Sequence, residues 1–203
     1  EAAPHHTALS DEMISHIKRT LPEVEDRDIK LFVGLLAYTG MRPEEALGLK
    51  WEDLHIEKGY GIISRAVVFC YGSNDPVVKE PKTASSTRTV ILPTPLQALL
   101  KPYQKAKGFI LTCPDNVSPL TASRKQCLWE RAKKRLEIKN AVPYDFRVTY
   151  GTQLCENGVT SKQCADLLGH ADTRMVETIY ARRRHESVTK QQALLERMNK
   201  DYF

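Results

Sequence analysis

No stretch of the sequence approaches the roughly 18 consecutive apolar residues that a membrane-spanning helix needs, so a transmembrane reading fails. No CxxC pair occurs either. The five cysteines (Cys70, Cys113, Cys127, Cys155 and Cys164) form an odd, irregularly spaced set. That argues against a disulfide framework and against a zinc site, and favours reduced thiols in the cytoplasm. Missing too are a GxxxxGK[ST] loop to cradle nucleotide phosphates and a carboxylate cluster to hold two magnesium ions. Neither a metal nor another cofactor is therefore expected. Nothing near Glu1 has the charged start and apolar stretch of a leader peptide, and the N-terminus reads as the cut end of a longer protein. Internal repeats and low-complexity tracts are also absent.

What is present is an ordinary globular composition, 41% hydrophobic and 27% charged, over 203 residues. The length suits one large domain or two small ones. The net charge of +5 is only mildly basic, but its distribution is uneven. Seven basic residues fall between Arg124 and Lys139 (Arg124, Lys125, Arg131, Lys133, Lys134, Arg135 and Lys139), against Glu130 and Glu137. Arg182, Arg183 and Arg184 run consecutively. Clustered positive charge suits a polyanionic partner, and a solvated helix face is the plain alternative.

Residues 1–8 (EAAPHHTA) read as the end of a linker. Ser10 can cap a helix through Thr20, with Asp11 and Glu12 in its first turn. Ile29, Phe32, Leu35 and Leu36 recur at helical spacing and predict a helix over about 25–39. Gly40 stops it, and Pro43 starts a short helix through Leu47. From Gly61 to Leu92 the pattern turns to β, with one run over Ile62, Ile63, Val67, Val68 and Phe69 and another over 87–92. The segment GSNDP between them is a turn composition, and a small antiparallel sheet of about three strands is expected. Helices are expected over 95–106, 121–137, 145–156, 160–168, 173–184 and 187–200. The fold class is mainly α with a small antiparallel β-sheet.

The residues that carry chemistry lie in four segments. In DLLGHADTRMVETIYARRR, Gly169 breaks an apolar helix, His170 sits in the break, and Tyr180 lies about two turns into the next helix. A tyrosine beside a histidine and arginines suits phosphoryl transfer to a side chain. The phenol must lose a proton against an ordinary pKa near 10 while cations stabilise the phosphate. Alone, Tyr180 would read as an amphipathic core residue. Arg42 lies in TGMRPEEALGLKWEDL with Glu45 three residues on and on the same helix face, which by itself is a surface ion pair. Arg147 follows Tyr144 by three residues in PYDFRVTYGTQL. Two arginines can chelate the non-bridging oxygens of one phosphate. Lys82, in EPKTASSTRTVILP, can reach a leaving oxygen and protonate it, or simply solubilise a hairpin.

In this order and spacing the four segments, from about Leu9 to Arg182, resemble the tyrosine recombinase (phage integrase) family. TGMRPEEALGLKWEDL resembles the family's first arginine box, which would make Arg42 a catalytic arginine and Glu45 its partner acid. KTASSTRTVILP is similar to the hairpin whose lysine is the general acid, a role that falls on Lys82. YDFRVTYGTQL resembles the second box, usually His-x-x-Arg, so Arg147 takes the second arginine role. LLGHADTRMVETIYAR resembles the last box, with His170 at the histidine-or-tryptophan position and Tyr180 as nucleophile. Tyr144 stands where the family usually has histidine. It can donate a hydrogen bond but cannot act as a base near neutral pH, so the acceptor of the Tyr180 proton is open among His170, water and a substrate-assisted route.

The resemblance implies the catalytic-domain fold of that family over 9–186 and site-specific recombination through a 3′-phosphotyrosyl intermediate, integrating or excising a phage or mobile element without ATP. The partner is double-stranded DNA at attachment sites, contacted by the 124–139 helix (Arg124, Lys125, Arg131, Lys133, Lys134 and Arg135). A homo-tetramer is expected on DNA and a monomer is compatible with its absence. In the family much of the base readout belongs to a preceding domain. Residues 187–203 carry an apolar stripe (Val188, Ala193, Leu194, Leu195, Met198) and read as a helical tail that either folds back on its own domain or, as the resemblance implies, docks on a neighbouring protomer. The rival readings are a type IB topoisomerase and a non-catalytic DNA-binding relic of an integrase.

Overall fold

The computed structural model describes residues 6–80 and 87–169. Lys82, His170, Tyr180, the helices expected over 173–184 and 187–200, and the terminal segment 187–203 lie outside the described residues. The chain divides into two compact units, 1–150 and 151–203. Among the described residues no helix is long and apolar enough to cross a membrane.

The first unit opens with α1 (Asp11–Thr20), where the Ser10 side chain accepts from the Met13 amide and Asp11 and Glu12 occupy the first turn. Helix α2 (Arg27–Thr39) starts at an Asp26 cap, slightly later than the apolar spacing predicts. Phe32, Leu35 and Leu36 are fully buried, as are Leu31 and Val33 on either side of Phe32. A helix covered on so much of its circumference is a central packing element, and each such side chain contributes about 1.5–3 kcal/mol through burial. Gly40 ends α2 with φ 63°, its amide bonded to the Leu36 carbonyl. A Cβ at Gly40 would also meet the Tyr150 ring at 2.5 Å. Both conformation and space therefore require glycine there. Helix α3 (Pro43–Gly48) follows with Pro43 in its first turn.

The β region is more divided than its sequence suggests. Strands β1 (Leu54–His55), β2 (Tyr60–Ile63) and β5 (Arg88–Ile91) form an antiparallel sheet in the order β1-β2-β5. Strands β3 (Ala66–Phe69) and β4 (Pro76–Lys79) form a separate two-stranded ribbon. The run expected from Ile62 to Phe69 is thus two strands in two sheets, interrupted at Ser64 and Arg65. The GSNDP turn joins β3 to β4, a strand that apolar content alone did not mark out. Val77 and Val78 there are both about 40% exposed, so their pattern carries little burial signal.

Helix α4 (Thr94–Leu100) is shorter than expected and gives way to a 3-10 turn at Lys101–Tyr103 that contains Pro102. Helix α5 (Ala122–Arg135) is capped by Thr121 and buries Leu128, Trp129 and Ala132. The Trp129 ring packs edge-on against Phe146, with centroids 6.2 Å apart. Helix α6 (Asp145–Glu156) matches its expected span. In the second unit, Thr160 caps α7 (Ser161–Leu168), which ends at Gly169 with φ 68°. Within that unit the thiols of Cys155 and Cys164 approach to 3.6 Å. Burial, then the Cys155 contact, pushes the Cys164 thiol up to about 12, so it stays protonated and serves as packing.

Candidate active site

The turn at Gly40 determines where the first arginine goes. Arg42 is the extended residue before α3, and its backbone amide donates to Glu45 Oε2 at 2.7 Å. This is the reciprocal half of a helix capping box, with glutamate at the third helical position. The same carboxylate accepts from Arg42 Nη1 through Oε1 at 2.9 Å. Glu45 therefore ties down both the backbone and the side chain of Arg42. The pair is not the surface i,i+3 contact that its spacing alone allows. The Glu45 side chain is only 8% exposed, whereas Arg42 keeps 34% of its side chain open.

The second arginine reaches the same place from α6. Arg147 is fully buried, and its Nη1 donates to the Gly40 carbonyl at 2.9 Å, across 107 residues of sequence. The absent Cβ at Gly40 lets α6 approach closely enough for this bond. Burial, then the neighbouring charge of Arg42, lowers the Arg147 guanidinium from the usual arginine range to about 10. It is thus still charged at neutral pH. Arg42 and Arg147 are thus brought together around one turn.

A third guanidinium, which sequence reasoning missed, joins them. Arg88 at the start of β5 places Nη1 2.8 Å from Glu45 Oε1 and Nη2 2.6 Å from Oε2, a two-pronged ion pair. Burial on its own would raise the Glu45 pKa, but the bonds and charges of Arg88 and Arg42 outweigh it and hold the carboxyl below its ordinary 4.5. A usable signal did exist: strand alternation puts Arg88 on the face of buried Val90, where a charge requires a partner.

Tyr144 lies partly buried one turn before Arg147, whose amide donates to the Tyr144 carbonyl at 3.0 Å. The ring of His6, from the segment read as linker, packs against Tyr144 with centroids 4.5 Å apart, and its Nδ1 lies 3.2 Å from Asp145 Oδ1. An imidazole thus stands beside the position where the family usually has one, supplied from elsewhere in the chain. Nothing in the local sequence around His6 signals this.

On α5 the expected DNA-contacting residues all lie off the buried stripe. Arg124, Arg131, Lys134 and Arg135 are exposed, with Lys125 and Lys133 partly so. Arg131 pairs with Asp26 and Lys133 with Glu130, while Lys125 sits over the Phe69 ring. An open cleft of about 680 Å³ at the start of this helix is lined by Arg27, Arg124 and Arg131 among others, and by none of the residues around Glu45. Among the described residues no group of three or more His, Cys, Asp or Glu could hold a metal ion.

The fold agrees with what the chain is similar to. The model of the phage integrase family matches residues 9–187, and the chain belongs to that family. A tyrosine recombinase XerC-like protein of Caldanaerobacter subterraneus subsp. tengcongensis is 28% identical over 196 residues, covering 85% of this chain and 49% of that protein. Tyrosine recombinase XerA of Pyrococcus furiosus is 26% identical over 181 residues, covering 86% of this chain and 57% of that protein. The chain therefore spans about half the length of the curated relatives it matches. Among solved structures, the Tn1549 transposon integrase in complex with a circular intermediate DNA superimposes with a TM-score of 0.73 at 19% identity. The match covers 93% of this chain and 67% of that one and shows a shared fold.

Proposed function

We propose that this chain is the catalytic domain of a site-specific DNA recombinase that cleaves and rejoins double-stranded DNA in the cytoplasm, for integration or excision of a mobile element. The observation that carries the reading is the convergence of Arg42 and Arg147 on the Gly40 turn, with Glu45 clamping Arg42. It gathers two guanidiniums from segments about a hundred residues apart, the arrangement that holding one phosphate would need. Membership of the phage integrase family supports it, as does the fold shared with a transposon integrase.

In this reading the Tyr180 oxygen attacks phosphorus, forming an O–P bond as the P–O5′ bond breaks. The phenol proton leaves to an acceptor. Lys82 gives a proton to the departing 5′-oxygen, yielding a 3′-phosphotyrosyl link and a free 5′-hydroxyl. The energy of the broken bond is kept in the new one, so rejoining needs no ATP. Arg42 and Arg147 neutralise charge on the non-bridging oxygens, in a site where partial burial strengthens each contact. His170 and the Tyr144 hydroxyl contribute further donors, and α5 contacts the DNA backbone. Four protomers assemble on paired attachment sites, with residues 187–203 docking on a neighbour.

The test is incubation with a nicked suicide duplex, followed by a denaturing gel for a covalent adduct. Tyr180→Phe keeps the ring and removes one oxygen. It is expected to abolish the adduct while leaving the fold and DNA binding intact. Adduct at undiminished yield would move the nucleophile to another tyrosine, Tyr144 or Tyr150.

A further inference from the structure

We infer that Arg88 is a positioning residue for DNA cleavage, acting through Glu45 to hold the Arg42 guanidinium in place. This rests on the recombinase reading above and adds a residue to it.

Three observations carry the inference. Arg88 engages both oxygens of Glu45, and these are the same two oxygens that receive the Arg42 amide and the Arg42 guanidinium. A carboxylate held at both oxygens by an arginine 43 residues further on is restrained from rotating, and with it the Arg42 side chain that it bonds. Planar two-pronged pairing of this kind is what guanidinium geometry supplies and an ammonium does not. Second, the Arg88 side chain is 14% exposed, and its Nε is buried with no hydrogen-bond partner among the described residues. Leaving such a donor unmet is costly, so the side chain is placed for Glu45 even at the expense of its own third donor. Third, the site is crowded with positive charge. Glu45 faces Arg42 from the start of α3, Arg88 from β5 and Arg147 from α6. Without Arg88 the carboxylate loses its strongest partner, while the penalty for its burial stays.

Arg88 does not need to touch the DNA. Its place is behind Glu45, and Arg42, the more open of the two arginines, is the one a phosphate would meet. A purely architectural ion pair would matter for folding only. A positioning role predicts effects on the cleavage step and on its pH dependence.

The experiment measures single-turnover cleavage of the suicide duplex by the 203-residue chain across pH, alongside DNA affinity and a thermal melt. Wild type, Arg88→Ala, Arg88→Lys, Glu45→Gln and the Arg88→Ala/Glu45→Gln double variant are compared. In Arg88→Ala, affinity should stay near wild type while the cleavage rate falls about tenfold or more, the effect of a lost bond to a charged group. The acid limb of its pH profile should also move to higher pH, because Glu45 takes up a proton more readily. Arg88→Lys should restore much of the acid limb, since it restores the charge, but only part of the rate. In the Glu45→Gln background, Arg88→Ala should cost little more. Four results would overturn the inference: an unchanged rate in Arg88→Ala, an affinity loss that accounts for the whole defect, an unmoved acid limb, or full additivity with Glu45→Gln. If Arg88→Ala does not fold, Arg88→Lys decides, and a wild-type rate there overturns the role. Absence of any adduct from wild type would instead reject the recombinase reading itself.

Discussion

At the scale of single residues, the site is organised by one buried carboxylate. Glu45 caps its own helix and bonds Arg42 and Arg88, and its ionisation is linked to folding. Its folded pKa lies below the ordinary 4.5. Its contribution to stability is therefore fully present above about pH 4.5 and lost as pH falls through the lowered folded value. Glu45→Gln is expected to destabilise the chain by about 3 kcal/mol at neutral pH, since it leaves two partly buried guanidiniums facing a neutral amide. Urea melts of the two proteins should converge as pH drops below about 4.5, and a constant difference down to pH 3 would contradict the linkage. Tyr144 is a simpler case. Its hydroxyl is proposed to donate to the phosphate, so Tyr144→Phe should slow cleavage by the equivalent of about 1.5–3 kcal/mol, and Tyr144→His should keep or raise activity. A Phe variant as fast as wild type in the suicide-duplex assay would leave Tyr144 a packing residue beside His6.

At the scale of elements, helix α5 separates packing from charge. Leu128, Trp129 and Ala132 face the core, while Arg124, Lys134 and Arg135 face solvent. If α5 lies along the DNA backbone, each phosphate contact releases counterions and adds about 0.9 to the slope of log affinity against log salt. Binding by this chain should be weak and steeply salt-dependent, and Arg124→Gln with Arg135→Gln together should lower the slope by about 2. Arg131 and Lys133 are expected to contribute less, because Asp26 and Glu130 already hold them. A slope near zero for the unaltered chain, measured by fluorescence anisotropy, would remove α5 from the interface. The helices were the more legible elements: α1, α2, α5, α6 and α7 lie within a few residues of their apolar and capping signals, because those signals are local. The strands were less legible. A break at Ser64 and Arg65 reassigns Val67 to another sheet, and the half-exposed valines of β4 carry little periodic signal.

At the scale of the whole molecule, the proposed assembly on DNA depends on residues 187–203, which follow Tyr180 within a few residues. If this segment docks in trans, truncation after Glu186 should leave a folded chain that binds DNA but forms no higher-order complex, with cleavage altered rather than lost. Light scattering on DNA-bound samples after size exclusion decides this. Full assembly of the truncated chain would refute trans docking, and unfolding would place the segment in its own core. Four segments whose residue types would suit phosphoryl transfer by a side chain stand out in the sequence as short patterns, and those around Lys82 and around His170 and Tyr180 lie outside the described residues. The stop at Gly40 was readable too, since a helix end with positive φ selects glycine. Other features became visible only once the chain was folded: Arg88 behind Glu45, Arg147 on the Gly40 carbonyl and His6 against Tyr144. These partners lie 43, 107 and more than a hundred residues apart, and no local periodicity reports a contact whose distance is set by how helices and strands pack. The sequence by itself determined which chemical groups the candidate site could draw on, and tertiary packing decided which of them meet and hold one another in place.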